Sequence, residues 1–119
     1  MDSQIEHALE TDHLVDITTT GRKSGNPSRI EIAFHNFDDG LYITGTPGRR
    51  DWYANLVANP QFIFHLKQSA QADLPATATP ITDEATRRQV LSKVVVKWNR
   101  QHELEAFVQS SPLVKVELA

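Results

Sequence analysis

"RIEIAFHNFDDGLYITGT", Arg29 to Thr46, decides the fold. Ile30, Ile32 and Phe34 alternate with Arg29, Glu31 and His35. Successive side chains of extended backbone leave on opposite faces, so a period of two predicts a half-buried strand. The Phe-Asp-Asp-Gly step at 37–40 carries hairpin-turn chemistry, and Leu41 to Thr46 reads as the returning strand. Such a hairpin has an apolar face that it cannot bury alone, so further strands must complete it.

Those strands lie on both sides. Leu14–Thr20 is rich in β-branched residues and precedes a turn of breakers from Gly21 to Pro27. Gln61–Gln68 sets Phe62, Phe64 and Leu66 against Ile63, His65 and Lys67. Asp73–Pro80 places Leu74, Ala76 and Ala78 on one side, and "SPLVKVEL" supplies a closing strand through Leu113, Val114 and Val116. Between the strands sit helical patterns. Gln4–Glu10 is one. Trp52–Ala58 is a second, with Asp51 as expected cap and Trp52, Leu56 and Val57 inward. A third runs to Val96, with Thr82 as expected cap and Asp83 and Glu84 in the positive first turn. Arg100–Val108 is the fourth. Mostly antiparallel strands with short inserted helices predict an α+β fold, a small split antiparallel β-barrel, as one domain over residues 1–119.

Composition narrows the function. The formal net charge is -3, which argues against general nucleic-acid binding. There is no cysteine, so disulfides, thiolate catalysis and Cys-based metal sites are excluded. No apolar run approaches a membrane span, and the polar, acidic N-terminal segment has no signal-peptide pattern; a cytoplasmic protein without a membrane partner is expected. The five histidines are scattered, and His35 and His65 are expected on solvated strand faces. No triad or metal-ligand spacing is present, and no side chain is assigned a catalytic role.

Against this acidic background two cationic turns stand out. "GRKSG", Gly21–Gly25, brackets Arg22 and Lys23 with glycines, and its exposed N–H groups and Ser24 hydroxyl suit an anion. "GTPGRRDW", Gly45–Trp52, sets Arg49 and Arg50 at a helix start, where the helix dipole also favours negative charge. Arginine adds bidentate phosphate contacts. Either turn alone reads as well as a solvated turn, with Asp51 pairing one arginine. Trp52 reads first as core, Asn55 as a hydrogen-bond partner of a neighbouring loop, and Glu31 as the partner of Arg29 or Lys23.

"TTTGRKSGNPSR" followed by "GTPGRRDWYANLVANPQF" resembles the deazaflavin (F-420)-dependent nitroreductase or quinone reductase family of the split β-barrel flavin-binding superfamily. The similarity runs from about Leu14 to the region of Ala76 and includes Trp52, Tyr53, Asn55, Leu56, Ala58, Asn59 and Pro60. It implies an oxidoreductase that holds a long anionic deazaflavin, coenzyme F-420, in a groove and passes hydride to a small quinone, enone or nitro acceptor. The residues it implies for the coenzyme are Arg22, Lys23, Ser24, Gly25, Arg49 and Arg50, and the candidate set adds Arg29, Thr44, Gly45, Trp52 and Asn55. The chain departs from the family where Glu31 replaces a frequent proline, in a shorter 46–52 loop, and in offering only Trp98 for the family's C-terminal aromatic residues. Two competing readings use the same fold: an FMN-binding oxidoreductase, and a non-catalytic cofactor-binding or structural domain. Ile63 leaves apolar surface on the second face of its strand, which needs cover from a helix or from a second subunit in a homodimer.

Overall fold

The structure, a computed structural model, describes residues 2–119. Six strands close into one antiparallel barrel in the order β1-β2-β3-β6-β5-β4. They are β1 (Leu14–Thr20), β2 (Pro27–Phe37), β3 (Gly40–Thr44), β4 (Gln61–Leu66), β5 (Ala72–Pro80) and β6 (Leu113–Leu118). The hairpin behaves as its alternation requires: Phe34 pairs with Ile43 and His35 with Tyr42 across β2 and β3. Closure comes from β1, which pairs with β2 on one side and β4 on the other, Ile17 lying between Ile30 and Phe64. No strand of the barrel is left with an unpaired side, which removes the edge that would invite aggregation.

The interior is filled by Val15, Ile17, Phe34, Ile43, Phe62, Phe64, Ala76, Ala78, Val114 and Val116, with Ile30 and Ile32 partly buried against them. Phe34 and Phe64 meet edge to face at 5.4 Å, an arrangement favoured by the ring quadrupoles. Two helices join this core. α1 (Ser3–Thr11) contributes Ala8 and Leu9, and α2 (Asp51–Ala58) contributes Trp52 and Leu56. Val57, expected inward, is exposed, because an eight-residue helix turns it 100° from Leu56 onto the solvent face.

A second core lies outside the barrel. α3 (Glu84–Lys97) and α4 (Leu104–Ser110), joined through a 3-10 turn at Gln101–Glu103, pack Val90, Leu91, Val94, Phe107 and Val108 against Tyr42 and Leu113. Tyr42 and Leu113 point out of the barrel because their neighbours Ile43 and Val114 point in. Both expected caps shift by one residue. Asp83, not Thr82, caps α3 and accepts from the Thr86 N–H at 2.9 Å. Arg50, not Asp51, occupies the cap position of α2 and makes no side-chain capping bond. The Asp51 carboxylate is drawn instead to Arg22.

Burial also corrects the histidines. His35 is 1% exposed, because α3 lays Lys97 and Trp98 over that outer face of β2. His65 is buried too: its Nδ1 lies 2.7 Å from Asp73 and its Nε2 2.7 Å from the Thr18 hydroxyl. Period two assigns these residues to the outer face, and cannot tell which outer positions a helix or a side-chain network will cover.

Candidate functional site

The β1–β2 turn is built by its own hydrogen bonds. The Gly21 N–H donates to Asn26 O, the Gly25 N–H to Gly21 O, and the Asn26 N–H to the Ser24 hydroxyl. Gly25 sits at φ +72°, a conformation that a side chain would strain. A Cβ on Gly21 would come within 2.7 Å of Ser24 Oγ. Both glycines of "GRKSG" therefore serve the turn's shape, and that shape leaves Arg22, Lys23 and Ser24 exposed.

Asn55 joins the turn to α2. Its side-chain oxygen accepts from the Arg22 backbone N–H at 3.1 Å and from Arg22 Nη1 at 2.9 Å. Its amide donates to the Thr19 hydroxyl, and Arg22 Nη2 donates to Asp51 at 3.3 Å. One buried amide thus brings together segments about 30 residues apart in sequence. Next along α2, Arg50 is held by its own loop: it donates to the Thr46 carbonyl and hydroxyl and to the Arg49 carbonyl. Gly48, at φ +130°, makes room for that guanidinium.

The result is a groove of adjoining hollows. One of about 460 Å³ is lined by Arg22, Lys23, Ser24, Asp51 and Asn55. The next, about 510 Å³, is lined by Arg22, Arg49, Arg50, Asp51 and Tyr53. Arg22 of the first cationic turn meets Arg49 and Arg50 of the second in this second hollow, while Lys23 lines only the first. Asp51 is the one carboxylate lining either hollow, and it engages Arg22. Among the described residues, Lys23 and Arg49 form no salt bridge.

Other candidates have different surroundings. Arg29 pairs with Asp16 at 3.0 Å on the outer face of the barrel. Glu31 pairs with Lys67 rather than with Arg29 or Lys23, because Lys67, directly after β4, reaches across β1 to both Asp16 and Glu31. Thr44 is buried and its hydroxyl donates to the Pro112 carbonyl, tying β3 to the entry of β6. Trp52 belongs to the barrel core, and Gly45 backs the Arg50 guanidinium. Trp98 packs on His35 and Phe107 in the second core and lines none of the hollows of the groove.

A third hollow, about 520 Å³, continues from Arg49, Arg50 and Tyr53 towards Ile81, Arg87 and Ser111. Tyr53, Arg87 and Ser111 are absent from the sequence-derived set. Tyr53 alone carried a visible signal, as the residue beside Trp52 on a helix whose start was already suspected. Arg87 and Ser111 reach the hollow only through the packing of α3 and α4 on the barrel. Among the described residues no three His, Cys, Asp or Glu side chains cluster as a metal site, and no helix is long and apolar enough to cross a membrane.

The chemistry of the groove is that of an anion receptor: two cations without partners, two held in place, and a helix start with no side-chain cap. The family model described as F420-H2-dependent quinone reductase matches residues 1–116. A search of curated proteins finds no match. Among solved structures, the F420-H2-dependent reductase FDR-A is similar at a TM-score of 0.63 and 24% identity, over 89% of this chain and 95% of that one. The heme storage protein HutZ from Vibrio cholerae is similar at a TM-score of 0.71 and 17% identity, over 99% and 89% of the two chains. A FAD-binding protein from Mesorhizobium loti also gives 0.71, at 15% identity, over 100% and 91%. At these identities the structural likenesses speak for the fold alone.

Proposed function

As the chain belongs to the F420-H2-dependent quinone reductase family, we propose that the groove between the β1–β2 turn and the start of α2 holds coenzyme F-420 by its phosphate and tail carboxylates. The protein is an F-420-dependent oxidoreductase, and the division of labour among its cations is the proposal. Lys23 and Arg49, which have no carboxylate partner, bind the anionic groups directly. Arg22 and Arg50 are anchored by Asn55 and Thr46, and present their remaining charge to the same groove. Ser24 keeps its hydroxyl proton free while its oxygen accepts from Asn26.

The observation that carries this reading is the meeting of four cations from two distant segments around hollows that contain one carboxylate. Bringing like charges together is unfavourable, and a polyanionic ligand offsets that repulsion. When bound, the deazaflavin supplies the hydride chemistry. The chain's own residues bind, orient and fix it, and none need act as a nucleophile. The reading also includes a small organic acceptor, a cytoplasmic setting and a homodimer; fractionation of cells and sedimentation of the purified protein test the last two.

The direct test is titration of the ligand-free protein with F-420 and, separately, with FMN, read by fluorescence quenching. A charge-assisted hydrogen bond contributes roughly 1.5–3 kcal/mol, so Lys23→Ala weakens F-420 binding about ten- to a hundred-fold. Equal affinity of wild type and Lys23→Ala at low salt, with the fold intact, would return the turn to a plain solvated loop. Tighter binding of FMN than of F-420 would favour the flavin reading.

A further inference from the structure

We propose that Asp51 is a specificity-determining residue of the groove: it makes the site take a ligand with one anionic group in each of two hollows and a neutral linker between them, and reject compact polyanions. The inference rests on the groove being the coenzyme site, and deepens that reading.

Its ground is the way the groove is divided. The hollow of about 460 Å³ and its neighbour of about 510 Å³ share two lining residues, Arg22 and Asp51. Those two are paired with each other, Asp51 Oδ1 accepting from Arg22 Nη2 at 3.3 Å. The pair forms a saddle between the hollows, and its charges cancel. Lys23 lies on one side of the saddle and Arg49 on the other, each lining a single hollow of the two. Neither forms a salt bridge among the described residues. Along the groove the charge therefore runs positive, neutral, positive, and a ligand that spans it must cross the saddle.

Asp51 decides what can lie there. Both Nη atoms of Arg22 are engaged, Nη1 by Asn55 and Nη2 by Asp51, so the saddle cation already has its partners. The Asp51 side chain is 91% exposed, and among the described residues it accepts from Arg22 alone. An ionised carboxylate has acceptor capacity and no donor. A hydroxyl or amide N–H of a linker can donate to it, whereas an anionic group placed over it is repelled. Two like charges 4 Å apart disfavour binding about fivefold even at the dielectric constant of water. A repulsive group of this kind discriminates between ligands as well as an attractive contact does. The plain structural role of Asp51 is slight by comparison. A solvent-exposed ion pair adds little to folding, and an acidic residue in the first turn of α2 suits the helix dipole.

Tripolyphosphate, a compact polyanion, and F-420 are the probes. Both are titrated calorimetrically into wild type, Asp51→Asn and Asp51→Glu at about 0.1 M salt without divalent cations. Asparagine keeps the shape and an acceptor oxygen and removes the charge. Asp51→Asn should tighten tripolyphosphate at least about fivefold, by removing one close repulsion. F-420 should change by less than about threefold, because its linker keeps an acceptor and its charges, held at Lys23 and Arg49, are weakened by distance and by salt. Asp51→Glu restores the charge and should behave as wild type towards both. A merely structural aspartate would move the melting temperature and neither affinity. An unchanged tripolyphosphate affinity in Asp51→Asn would overturn the proposal. So would an equal gain for both ligands, which would make Asp51 a general repeller of anions with no preference for a linker. Tripolyphosphate tightened by Asp51→Asn and not by Asp51→Glu, with no F-420 binding by wild type, would leave the rejection of compact polyanions standing and remove the coenzyme reading beneath it.

Discussion

Two regions of this barrel carry the same kinds of charge and treat them in opposite ways. On the outer face of β1, β2 and β4, every cation has a carboxylate: Arg29 pairs with Asp16, and Lys67 bridges Asp16 and Glu31. At the β1–β2 turn and the start of α2, four cations gather around one carboxylate, and two of them pair with nothing. Strand geometry explains the first case. Asp16 faces Glu31 across β1 and β2, and Arg29 and Lys67 stand diagonal to Asp16, about 7–8 Å away at the backbone and within reach of long side chains. The turn has no facing strand; the loop before α2 brings Arg49 and Arg50 to it, and α2 brings the single carboxylate Asp51. The contrast teaches that a surface cation becomes a binding candidate by lacking a partner beside a concave surface, and its mere presence says little.

The largest expected effect would break this contrast outright. Lys23→Ala combined with Arg49→Gln should lower F-420 affinity by about 10²- to 10⁴-fold, two charge-assisted bonds at roughly 1.5–3 kcal/mol each. Arg29→Gln, on the paired face, should change it by less than about twofold, since that face donates nothing to the groove. Titration of the two variants side by side decides between them. Comparable losses from both would mean that pairing in the free protein does not predict ligand role.

Lys97 sharpens the criterion, because it too forms no salt bridge, yet it lines none of the hollows described here. Its Nζ lies 3.1 Å from His35 Nδ1, beneath Trp98 and beside Phe37. Burial, then the charge of Lys97, then His13, push the His35 pKa down to about 3, and its Nε2 has no partner. The folded state therefore refuses a proton that the unfolded chain accepts near its ordinary value of 6.5. Below that value the unfolded state binds more protons, so stability is complete above about pH 6.5 and falls as the pH drops towards 3. Denaturant unfolding at pH 7 and pH 5 should show wild type losing about 2 kcal/mol more than His35→Gln over that interval. Lys97→Met should leave F-420 affinity untouched. A parallel acid sensitivity in His35→Gln would remove His35 as its source, and weakened F-420 binding in Lys97→Met would show that a partnerless cation needs no hollow.

Asn55 comes next in size, and it is where the two cationic turns were joined by one residue that sequence periodicity could only call polar. Replacing it by alanine leaves the buried Thr19 hydroxyl and the Arg22 N–H without their partner. Chemical denaturation should register about 1–3 kcal/mol, and F-420 affinity should fall as the turn loses its anchor, although Asn55 itself need touch no ligand. A stability loss with unchanged affinity would show that the turn keeps its shape without α2.

Much of the fold was legible because the barrel interior obeys a period of two. The alternation of Arg29–His35 and of Gln61–Gln68 marked Phe34, Phe62 and Phe64 as inward, and the structure buries all three. The cationic turns were legible because glycines and adjacent arginines stand out locally. What stayed hidden depends on contacts far apart in sequence. No local pattern tells that α3 covers His35, that His65 is clasped between Thr18 and Asp73, or that Arg87 closes the end of α4. The same limit explains Glu31: its strand neighbours suggested Arg29, while the partner it takes, Lys67, stands two strands away, just past the end of β4.

The smallest expected effect tests the paired face itself. Asp16 accepts from both Arg29 and Lys67, and those two hydrogen bonds, Lys67 first, hold its carboxyl below the usual aspartate range. Asp16→Asn removes the shared anion but leaves Lys67 with Glu31. Arg29 and Lys67 are partly solvated, so water takes over most of the lost interaction, and the change in stability should stay within about 1 kcal/mol. Its sign with salt follows from screening: the difference between wild type and Asp16→Asn should shrink as ionic strength rises from 0.01 M to about 0.5 M, where charges are screened within a few ångströms. With Arg29 now partnerless but facing no groove cation, F-420 affinity should not move. Arg29 and Lys67 line a hollow of their own, about 490 Å³, so a gain in F-420 affinity would show that a cation freed on this face becomes a ligand, and the distinction between the two regions would then rest on pairing alone.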